Sequence, residues 1–433
     1  MRQMASWRGN LRGKAFAGES DKMLYLESIR GLAALVVVFA HILTFFFPYP
    51  DVNAGALSYG SHLINELFYG LPLGFMIAGH FSVIVFFILS GYVLTYRYYQ
   101  TKKASELQKQ AAKRYFRLAI PVFCTVMLSY LLLSSGAMHF KDQAGMISGS
   151  PEASTLFGVS KDLGAAIYNA TIGVFANSDA RYNPVLWTMP IELIGSFVIF
   201  GLALLVGKLR FRWLFYLGAV VALSQTYYIG FIIGLALADA YHNTNFMKWL
   251  SGILNTFYSV GLLGFVLVLA SIPLPWKTTS SLLHAFSLPF FDSMMNAKMA
   301  HYVGASILLL LVINVKKFQR ILSFRPLVWI GSLSFPIYLT HFLVLYSLGS
   351  FIFVKAWEAH QGVYMAAAAA SGAAVAVTVA ISILWKKYID DMSVQVSRKV
   401  AQILLSEKKK EEDAETEIVG VPSEAASSPS IAG

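Results

Sequence analysis

An arginine and a histidine share one apolar stretch near the start of the chain. The segment ESIRGLAALVVVFAH runs from Glu27 to His41 and contains Arg30. A helix rises about 1.5 Å per residue, so Arg30 and His41 would lie about 16 Å apart along its axis and on the same face. Histidine can act as a general base near neutral pH. The alternatives are that Arg30 extends to lipid headgroups and that His41 makes a structural hydrogen bond.

Polar residues interrupt two further apolar stretches. FSVIVFFILSGYVLTYRYY contains Ser90 and Gly91, and a glycine permits close approach of another backbone or of a ligand. NPVLWTMPIELIGSF contains Trp187, which suits the membrane interface, and Glu192 inside the apolar stretch. An ionisable side chain within a membrane helix indicates a functional site by default, and its partner is expected to be a base or an acceptor hydroxyl. Helix packing is the alternative for Gly91.

A late apolar stretch, WIGSLSFPIYLTHFLVLY, contains Tyr338 and His341. Pro336 in the same stretch frees backbone carbonyls at membrane depth, and these need partners or a cavity. His341 is therefore expected to line a cavity, with a hydrogen bond to a neighbouring helix as the structural alternative.

Two arginines form a third kind of signal, in the basic segment KKASELQKQAAKRYFRLAIP. Arg114 and Arg117 are three positions apart and would be neighbours on one helical face. Two neighbouring guanidinium groups could bind one phosphate group through several charged hydrogen bonds, an arrangement called a phosphate fork below. The alternative is plain anchoring of the membrane boundary by basic residues.

The composition identifies the class of chain that must position these residues. Of 433 residues, 57% are hydrophobic and 13% are charged, whereas a soluble domain has about 25% charged residues. The net charge of +11 could suggest nucleic acid, but the basic residues cluster between apolar runs and predict no nucleic-acid partner. The single cysteine, Cys124, excludes a disulfide framework or a thiolate metal site within one chain, and no metal site is predicted.

The apolar runs predict an all-α polytopic bundle of about ten membrane helices. A span needs about 20 apolar residues. Most of the 34 Lys and Arg residues fall in segments that would then be cytosolic, which places both termini in the cytosol. The expected spans are 29–47, 80–98, 118–135, 186–206, 213–225, 227–240, 257–271, 299–315, 328–349 and 362–384.

The sequence predicts a cytosolic tail at each end of the bundle and one long exterior loop. Residues 1–23 are predicted to form a basic cytosolic tail and residues 24–388 the transmembrane domain. Residues 389–433 are predicted to form a disordered cytosolic tail. Its sequence becomes charged and then Ser/Ala/Pro-rich from about residue 403. The long loop 136–185 would face the exterior of an endomembrane or plasma-membrane protein. It contains a glycosylation triplet at Asn169.

Taken together, five of these stretches resemble a known family. ESIRGLAALVVVFAH, FFILSG, RYFR, LWTMPIEL and GSLSFPIYLTH occur in the order and spacing typical of the membrane-bound acyltransferase-3 family, over about residues 24 to 388. The residues of the second and fourth stretches are most similar to those of the fungal branch of the family. Two departures affect any transfer of acceptor specificity: Ser28 replaces a glycine of the first motif, and an aromatic pair found after the glutamate in many bacterial members is missing.

The resemblance implies transfer of an acyl group from a cytosolic acyl-CoA, usually acetyl-CoA, to a hydroxyl of a small metabolite or a glycan. Acyl-CoA would be a co-substrate, with no permanently bound cofactor. His41 would be the general base, and Glu192 would orient its imidazole or bind the acceptor. The expected acyl-CoA-binding residues are Arg30, Ser90, Gly91, Arg114 and Arg117, and the expected cavity or acceptor residues are Trp187, Tyr338 and His341.

Two other classes of membrane protein would also use buried polar residues. A proton-coupled transporter would place Arg, His and Glu within its spans, although the sequence shows no inverted internal repeat. A haem or di-iron redox enzyme needs clustered histidines, and the nine histidines form no HxxxH or HxxHH set. The transporter therefore stays as the alternative function.

Overall fold

The computed structural model describes residues 23–47, 67–68, 73–140, 159, 161–274 and 292–419. Over these ranges the regular structure is helical throughout, which confirms the predicted all-α class. The helices of the first half are α1 (Leu24–Phe46), α2 (Gly79–Thr101), α3 (Ala104–Ser134), α4 (Leu163–Tyr168), α5 (Val174–Asn177), α6 (Thr188–Val206), α7 (Arg212–Ala222) and α8 (Tyr228–Asn243).

The second half continues the same pattern with shorter helices between the long ones. Single π-helical turns occur at Asn169–Gly173, Leu345–Gly349 and Lys386–Asp390, and a 3₁₀ turn, Pro184–Trp187, leads into α6. The remaining helices are α9 (Phe246–Ile253), α10 (Thr256–Ala270), α11 (Ser293–Asn314), α12 (Lys316–Leu322), α13 (Arg325–Ser332), α14 (Ser334–Val344), α15 (Ser350–Glu358), α16 (Val363–Trp385) and α17 (Asp391–Val419).

The described helices make this a multi-pass integral membrane protein. Seven of them are long and apolar enough to cross a membrane, or eight if α9 and α10, bent by 103°, form one broken span. A helix overlaps each of the ten predicted spans, but α7 has only 11 residues and α8 only 16. At about 1.5 Å per residue these are shorter than the hydrocarbon core of about 30 Å. The count of ten and the cytosolic termini therefore stay predictions.

Contacts between glycines bring α1 directly against α13. A Cβ atom added at Gly31 would lie 2.6 Å from the backbone nitrogen of Gly331, and one added at Gly331 would lie 2.3 Å from the carbonyl oxygen of Glu27. Neither position has space for a side chain. The N-terminal half of α1 is also tied to the end of α12, because the buried hydroxyl of Ser28 donates a hydrogen bond to the carbonyl oxygen of Leu322.

A second glycine crossing joins α2 to α8. A Cβ atom at Gly91 would lie 2.2 Å from the carbonyl oxygen of Phe231, and one at Gly234 would lie 2.1 Å from the carbonyl oxygen of Ile88. The two backbones are therefore in direct contact. Gly91 serves this crossing, which is the packing alternative considered for it, and the neighbouring residue on α2, Ser90, faces elsewhere.

The C-terminal helix α17 differs from the tail expected from the sequence. It follows α16 through the π turn Lys386–Asp390 and packs along α3. The small residues Ser393, Ser397 and Ala401 recur every four positions and are buried. Their spacing gives α17 one face of small side chains that can approach α3 closely. The helix continues to Val419, well into the stretch expected to be disordered.

Candidate active site

A large cavity lies between the helices that contain most of the polar residues selected from the sequence. Its volume is about 1550 Å³, whereas ordinary small-molecule sites measure about 300–1,000 Å³. Helices α1, α2, α3, α6, α13, α14 and α17 line it. The charged lining residues are Glu27, Arg30, Arg114, Arg117, Glu192, Arg325, Lys386, Asp390, Asp391 and Arg398.

A buried ion pair between α3 and α6 forms one part of the cavity wall. A guanidinium nitrogen of Arg114 contacts Oε1 of Glu192, and each side chain is 12% exposed. Ser90 donates a hydrogen bond of 2.6 Å to the same carboxylate oxygen. Nε of Arg114 donates to Oγ of Ser196 at 2.7 Å, and that hydroxyl donates to the backbone oxygen of Glu192 at 2.6 Å. The two buried charges thus compensate each other within a satisfied network.

Arg117 reaches a different partner from Arg114. Its Nη1 atom lies 2.6 Å from Oδ1 of Asp390 and donates a hydrogen bond of 2.7 Å to Oγ of Ser393. The two arginines predicted to form a phosphate fork both line the cavity, but each is paired with a carboxylate of another helix or turn. Their role in acyl-CoA binding stays a prediction, and the structure assigns them in addition a role in joining α3 to α6 and to the C-terminal segment.

The charge that remains on the cavity wall is positive. Six cations face four carboxylates, and three of those carboxylates are paired: Glu192 with Arg114, Asp390 with Arg117, and Asp391 with Lys386 at 3.2 Å. Glu27, Arg30, Arg325 and Arg398 also line the cavity, so its formal charge is positive.

Arg30 stands out in this set because its Nε atom is buried and makes no hydrogen bond within the described part of the chain. A buried donor without an acceptor is costly, so this wall is suited to an anionic group. The sequence analysis did not select three cations of this wall. Arg325 and Lys386 were counted only for the membrane orientation, and Arg398 lies in the predicted tail.

His41 of α1 lies against His341 of α14. Nδ1 of His41 is 3.0 Å from Nε2 of His341, and Nδ1 of His341 is 3.0 Å from the carbonyl oxygen of Ile337. A carbonyl oxygen only accepts, so Nδ1 of His341 carries the proton. In a neutral ring Nε2 of His341 is then the acceptor, and His41 donates to it through Nδ1. Neutral His41 in this arrangement carries its lone pair on Nε2.

Neither His41 nor His341 lines the cavity. The pair is one side chain away from it, because the ring of Tyr338, a lining residue, is 6.1 Å from the ring of His341. The sequence analysis expected Glu192 to orient His41. The structure instead gives His341 as the hydrogen-bonded neighbour of His41, with Glu192 bonded to Arg114 and Ser90.

Tyr338 and Trp187, both expected to shape the acceptor cavity, have separate positions. The hydroxyl of Tyr338 donates to the carbonyl oxygen of Val185 at 2.9 Å and lies 2.9 Å from Oγ1 of Thr188, which fixes α14 to the turn before α6. The ring of Trp187 packs at 5.1 Å from the ring of Tyr227 and is not part of the described cavity wall. The structure therefore brings Tyr338, but not Trp187, to this cavity.

Asn169, predicted to be glycosylated, is 2% exposed. Its side-chain nitrogen donates a hydrogen bond of 3.1 Å to the backbone oxygen of Asp179. The Arg181 guanidinium, 2.6 Å from the Asp179 carboxylate, lowers the pKa of that carboxyl and holds the same segment in place. A glycan needs an exposed amide nitrogen, so the folded protein argues against glycosylation at Asn169. The triplet alone could not reveal that the π turn Asn169–Gly173 buries this side chain.

The fold and the cavity define a multi-pass integral membrane protein with ten charged side chains on the wall of a cavity between its helices. The family described as an acyltransferase domain matches residues 23–385. The chain therefore belongs to the acyltransferase-3 family, and the protein is a membrane acyltransferase. Comparisons with curated proteins and with solved structures give no match.

Proposed function

We propose that this membrane acyltransferase moves an acyl group, with acetyl expected, from acyl-CoA to a hydroxyl of a small metabolite or a glycan. The observation that carries the proposal is the hydrogen-bonded pair His41–His341 beside a positively charged cavity. A transfer to a hydroxyl needs a group that removes the hydroxyl proton, and a donor such as CoA carries several phosphate charges. The pair supplies the first requirement and the cavity wall the second.

The donor would bind along the cavity. Arg30 and Arg325 line it without a carboxylate partner among the described ion pairs, so they are the cations suited to phosphate. The cavity also extends to Ser90, Glu192 and Tyr338. Its volume of about 1550 Å³ leaves room for a long, thin pantetheine arm together with an acceptor.

His41 would be the general base through Nε2. As the acceptor oxygen attacks the thioester carbonyl, Nε2 takes the hydroxyl proton and a tetrahedral intermediate forms. The intermediate collapses by breaking the C–S bond, and the imidazolium returns the proton to the CoA sulfur. His341 would position His41 in the required tautomer, the role that a carboxylate has in a serine-hydrolase triad. In the alternative relay, Nε2 of His41 would itself attack the thioester and release the CoA thiolate. The acceptor hydroxyl would then take the acyl group from Nε2 and release its proton to that thiolate.

The network of Arg114, Glu192 and Ser90 would hold the cavity in shape during this reaction. The hydrogen atom of the Ser90 hydroxyl is committed to Glu192, and that of Tyr338 to Val185, in the structure. These two hydroxyls are therefore better placed to fix the positions of α2, α6 and α14 than to donate to an oxyanion. Preorganised polar groups of this kind cost no rearrangement at the moment of reaction.

The test uses full-length protein in nanodiscs, acetyl-CoA labelled in the acetyl group, and metabolite and glycan extracts from cells that lack the gene. Label should move to a product that alkali cleaves, as expected of an ester, with release of one CoA thiol per transfer. A matched reaction with His41→Ala protein is the control for chemical acetylation. Protein that neither transfers nor hydrolyses the thioester, but moves a solute into sealed vesicles, would contradict the proposal and favour the transporter.

A further inference from the structure

The short helix α9 lies at a sharp bend on the outside of the bundle. It has eight residues and extends about 12 Å, far less than the hydrocarbon core of about 30 Å. Its axis is bent by 103° from that of α10, which packs along the membrane-length helix α11. At the bend, Asn255 begins α10 afresh, because its side chain accepts a hydrogen bond of 3.0 Å from the backbone nitrogen of Tyr258. A helix at this angle to α10 runs roughly along the membrane surface.

The two sides of α9 differ in their chemistry. Phe246, Trp249 and Ile253 are spaced by three and four positions, so they lie on one face. Their exposed fractions are 42%, 61% and 45%. Lys248 is also exposed and lies on the other side of the helix. An apolar face with Trp and Phe, opposite a basic side chain, is typical of a helix that lies in the membrane interface.

Two contacts hold the basic helix α12 beside this bend. The side-chain amide of Asn314, the last residue of α11, donates a hydrogen bond of 3.5 Å to the sulfur of the buried Met247 on α9. The helix α12 begins two residues later. Nζ of Lys317 in its first turn donates a hydrogen bond of 2.8 Å to Oγ1 of Thr256, the first residue of α10. The start of α12 is therefore adjacent to both helices of the bend.

The charge around the bend is positive. Lys316 and Arg320 are four positions apart, on one face of α12, and both are exposed. Within the described part of the chain, these two side chains and that of Lys248 make no ion pair. Between residues 244 and 325 the one acidic residue is Asp292, which lies at the far end of α11. Basic side chains at a membrane surface attract anionic lipid headgroups.

We propose that α9 lies in the membrane interface and that α9 and α12 together bind the headgroup of an anionic phospholipid. The apolar face of α9 would rest on the acyl chains, and Lys248, Lys316 and Arg320 would contact the charged headgroup. The distribution of basic residues predicts the cytosolic leaflet, where anionic lipids are concentrated. The helix α12 leads directly to Arg325 on the cavity wall, so the lipid would lie close to the active-site cavity. The inference does not depend on the identity of the acyl donor.

Lipid retention tests the headgroup site. Full-length protein in neutral detergent receives equal amounts of phosphatidylserine and phosphatidylcholine, and native mass spectrometry counts the lipids retained. Wild-type protein should prefer phosphatidylserine, and Lys316→Ala with Arg320→Ala should reduce this preference by about three- to tenfold. Lys208→Ala with Arg210→Ala, which removes two exposed cations after α6, is the matched control and should change it by less than about twofold. No preference in wild-type protein, or equal losses in the two double variants, would overturn the inference.

Quenching by labelled lipids tests the depth of α9. Trp249→Cys and Gly264→Cys are introduced separately into full-length Cys124→Ser protein, coupled to one fluorophore and placed in nanodiscs. Gly264 has open space around it and lies about 12 Å along α10 from Thr256. A doxyl group near the headgroup should quench Trp249→Cys more than one near the chain end, with the reverse order at Gly264→Cys. Stronger quenching of Trp249→Cys by the deep doxyl group, or by neither, would overturn the interfacial position of α9.

Discussion

Nδ1 of His41 lies 3.0 Å from Nε2 of His341, whose own Nδ1 donates a hydrogen bond to the carbonyl oxygen of Ile337. The two rings belong to helices α1 and α14, so the pair is formed only when the bundle is assembled. His341 is fully buried, which fixes its ring against rotation. A proton taken up by His41 would be shared along a chain that ends on a backbone carbonyl. This relationship connects the apolar core of the bundle to the proposed base, and the first two predictions follow from it.

Replacing His41 by alanine should abolish most of the turnover and leave donor binding intact. The removal of a positioned general base costs about 100-fold to 10,000-fold in rate. Arg30→Ala should instead raise the apparent KM for acyl-CoA, because Arg30 lines the cavity and would hold the donor. Turnover and CoA affinity of both variants in nanodiscs check this split. Near wild-type turnover in His41→Ala would show that the base is another group.

His341→Ala should lower turnover by a smaller factor than His41→Ala, about 10-fold to 100-fold. It removes the described acceptor of the His41 ring, and the loss of a buried hydrogen bond lowers stability by about 1–3 kcal/mol. His341→Gln offers an amide oxygen as a replacement acceptor for Nδ1 of His41 and should recover part of the rate. The pH–rate profile separates the two roles, since a positioning residue shifts the apparent pKa of the base. An inactive His341→Ala beside an active His41→Ala would move the base to α14.

Arg114→Ala should unfold the protein at a lower temperature than wild type. The substitution leaves the carboxylate of Glu192 buried with Ser90 as its remaining described side-chain donor. Breaking a buried pair in this way costs about 3–5 kcal/mol. The double variant Arg114→Met, Glu192→Leu should be more stable than Arg114→Ala, because no charge is left unpaired. Thermal unfolding in detergent measures both, and losses that simply add would show that the two side chains do not interact.

A second buried pair should stabilise the short helices α7 and α8. Arg212 lies 2.5 Å from the fully buried carboxylate of Asp239, which also accepts from Asn243 and, at 3.4 Å, from Tyr216. Asp239→Ala should therefore destabilise the protein by about 3 kcal/mol or more. Arg210→Ala, an exposed arginine of the same loop, is the matched control and should have an effect below about 0.5 kcal/mol. Equal effects of the two variants would contradict the structural role of the pair.

Cysteine labelling tests the predicted orientation. Cys124→Ser removes the single native cysteine, and cysteines are then introduced at position 150, which lies outside the described residues, and at Lys399. An impermeant maleimide should reach position 150 from the exterior and Lys399→Cys from the cytosol, as the distribution of basic residues predicts. Labelling of position 150 from the cytosolic side would reverse the topology.

The sequence predicted the helical class and several lining residues because these depend on local composition. Apolar runs indicate helices by themselves, and Arg30, Ser90, Glu192 and Tyr338 were found because a polar side chain in such a run needs an explanation. Their partners were not predictable. The pairs Arg114–Glu192 and Arg117–Asp390 join residues far apart in the chain, and spacing within one helix carries no information on them.

The position of α17 was missed for a related reason. The charged and Ser/Ala-rich composition after α16 is typical of disorder, but a helix needs only one compatible face to pack. Ser393, Ser397 and Ala401 provide a face of small side chains, and the arginine on α3 that anchors it was interpreted as part of a different site. The burial of Asn169 was also not predictable from the sequence, because it follows from the tertiary fold and not from the glycosylation triplet.

The glycine contacts between helices affect how natural variation in this protein would be interpreted. At Gly31, Gly91, Gly234 and Gly331 even a methyl group would overlap backbone atoms of the neighbouring helix. A survey of all single substitutions would therefore score these four positions as intolerant, together with His41. None of the four carries a group that can react. In such a survey, loss of activity alone would mix assembly defects with chemical ones, and only protein abundance measured for the same variants would separate the two.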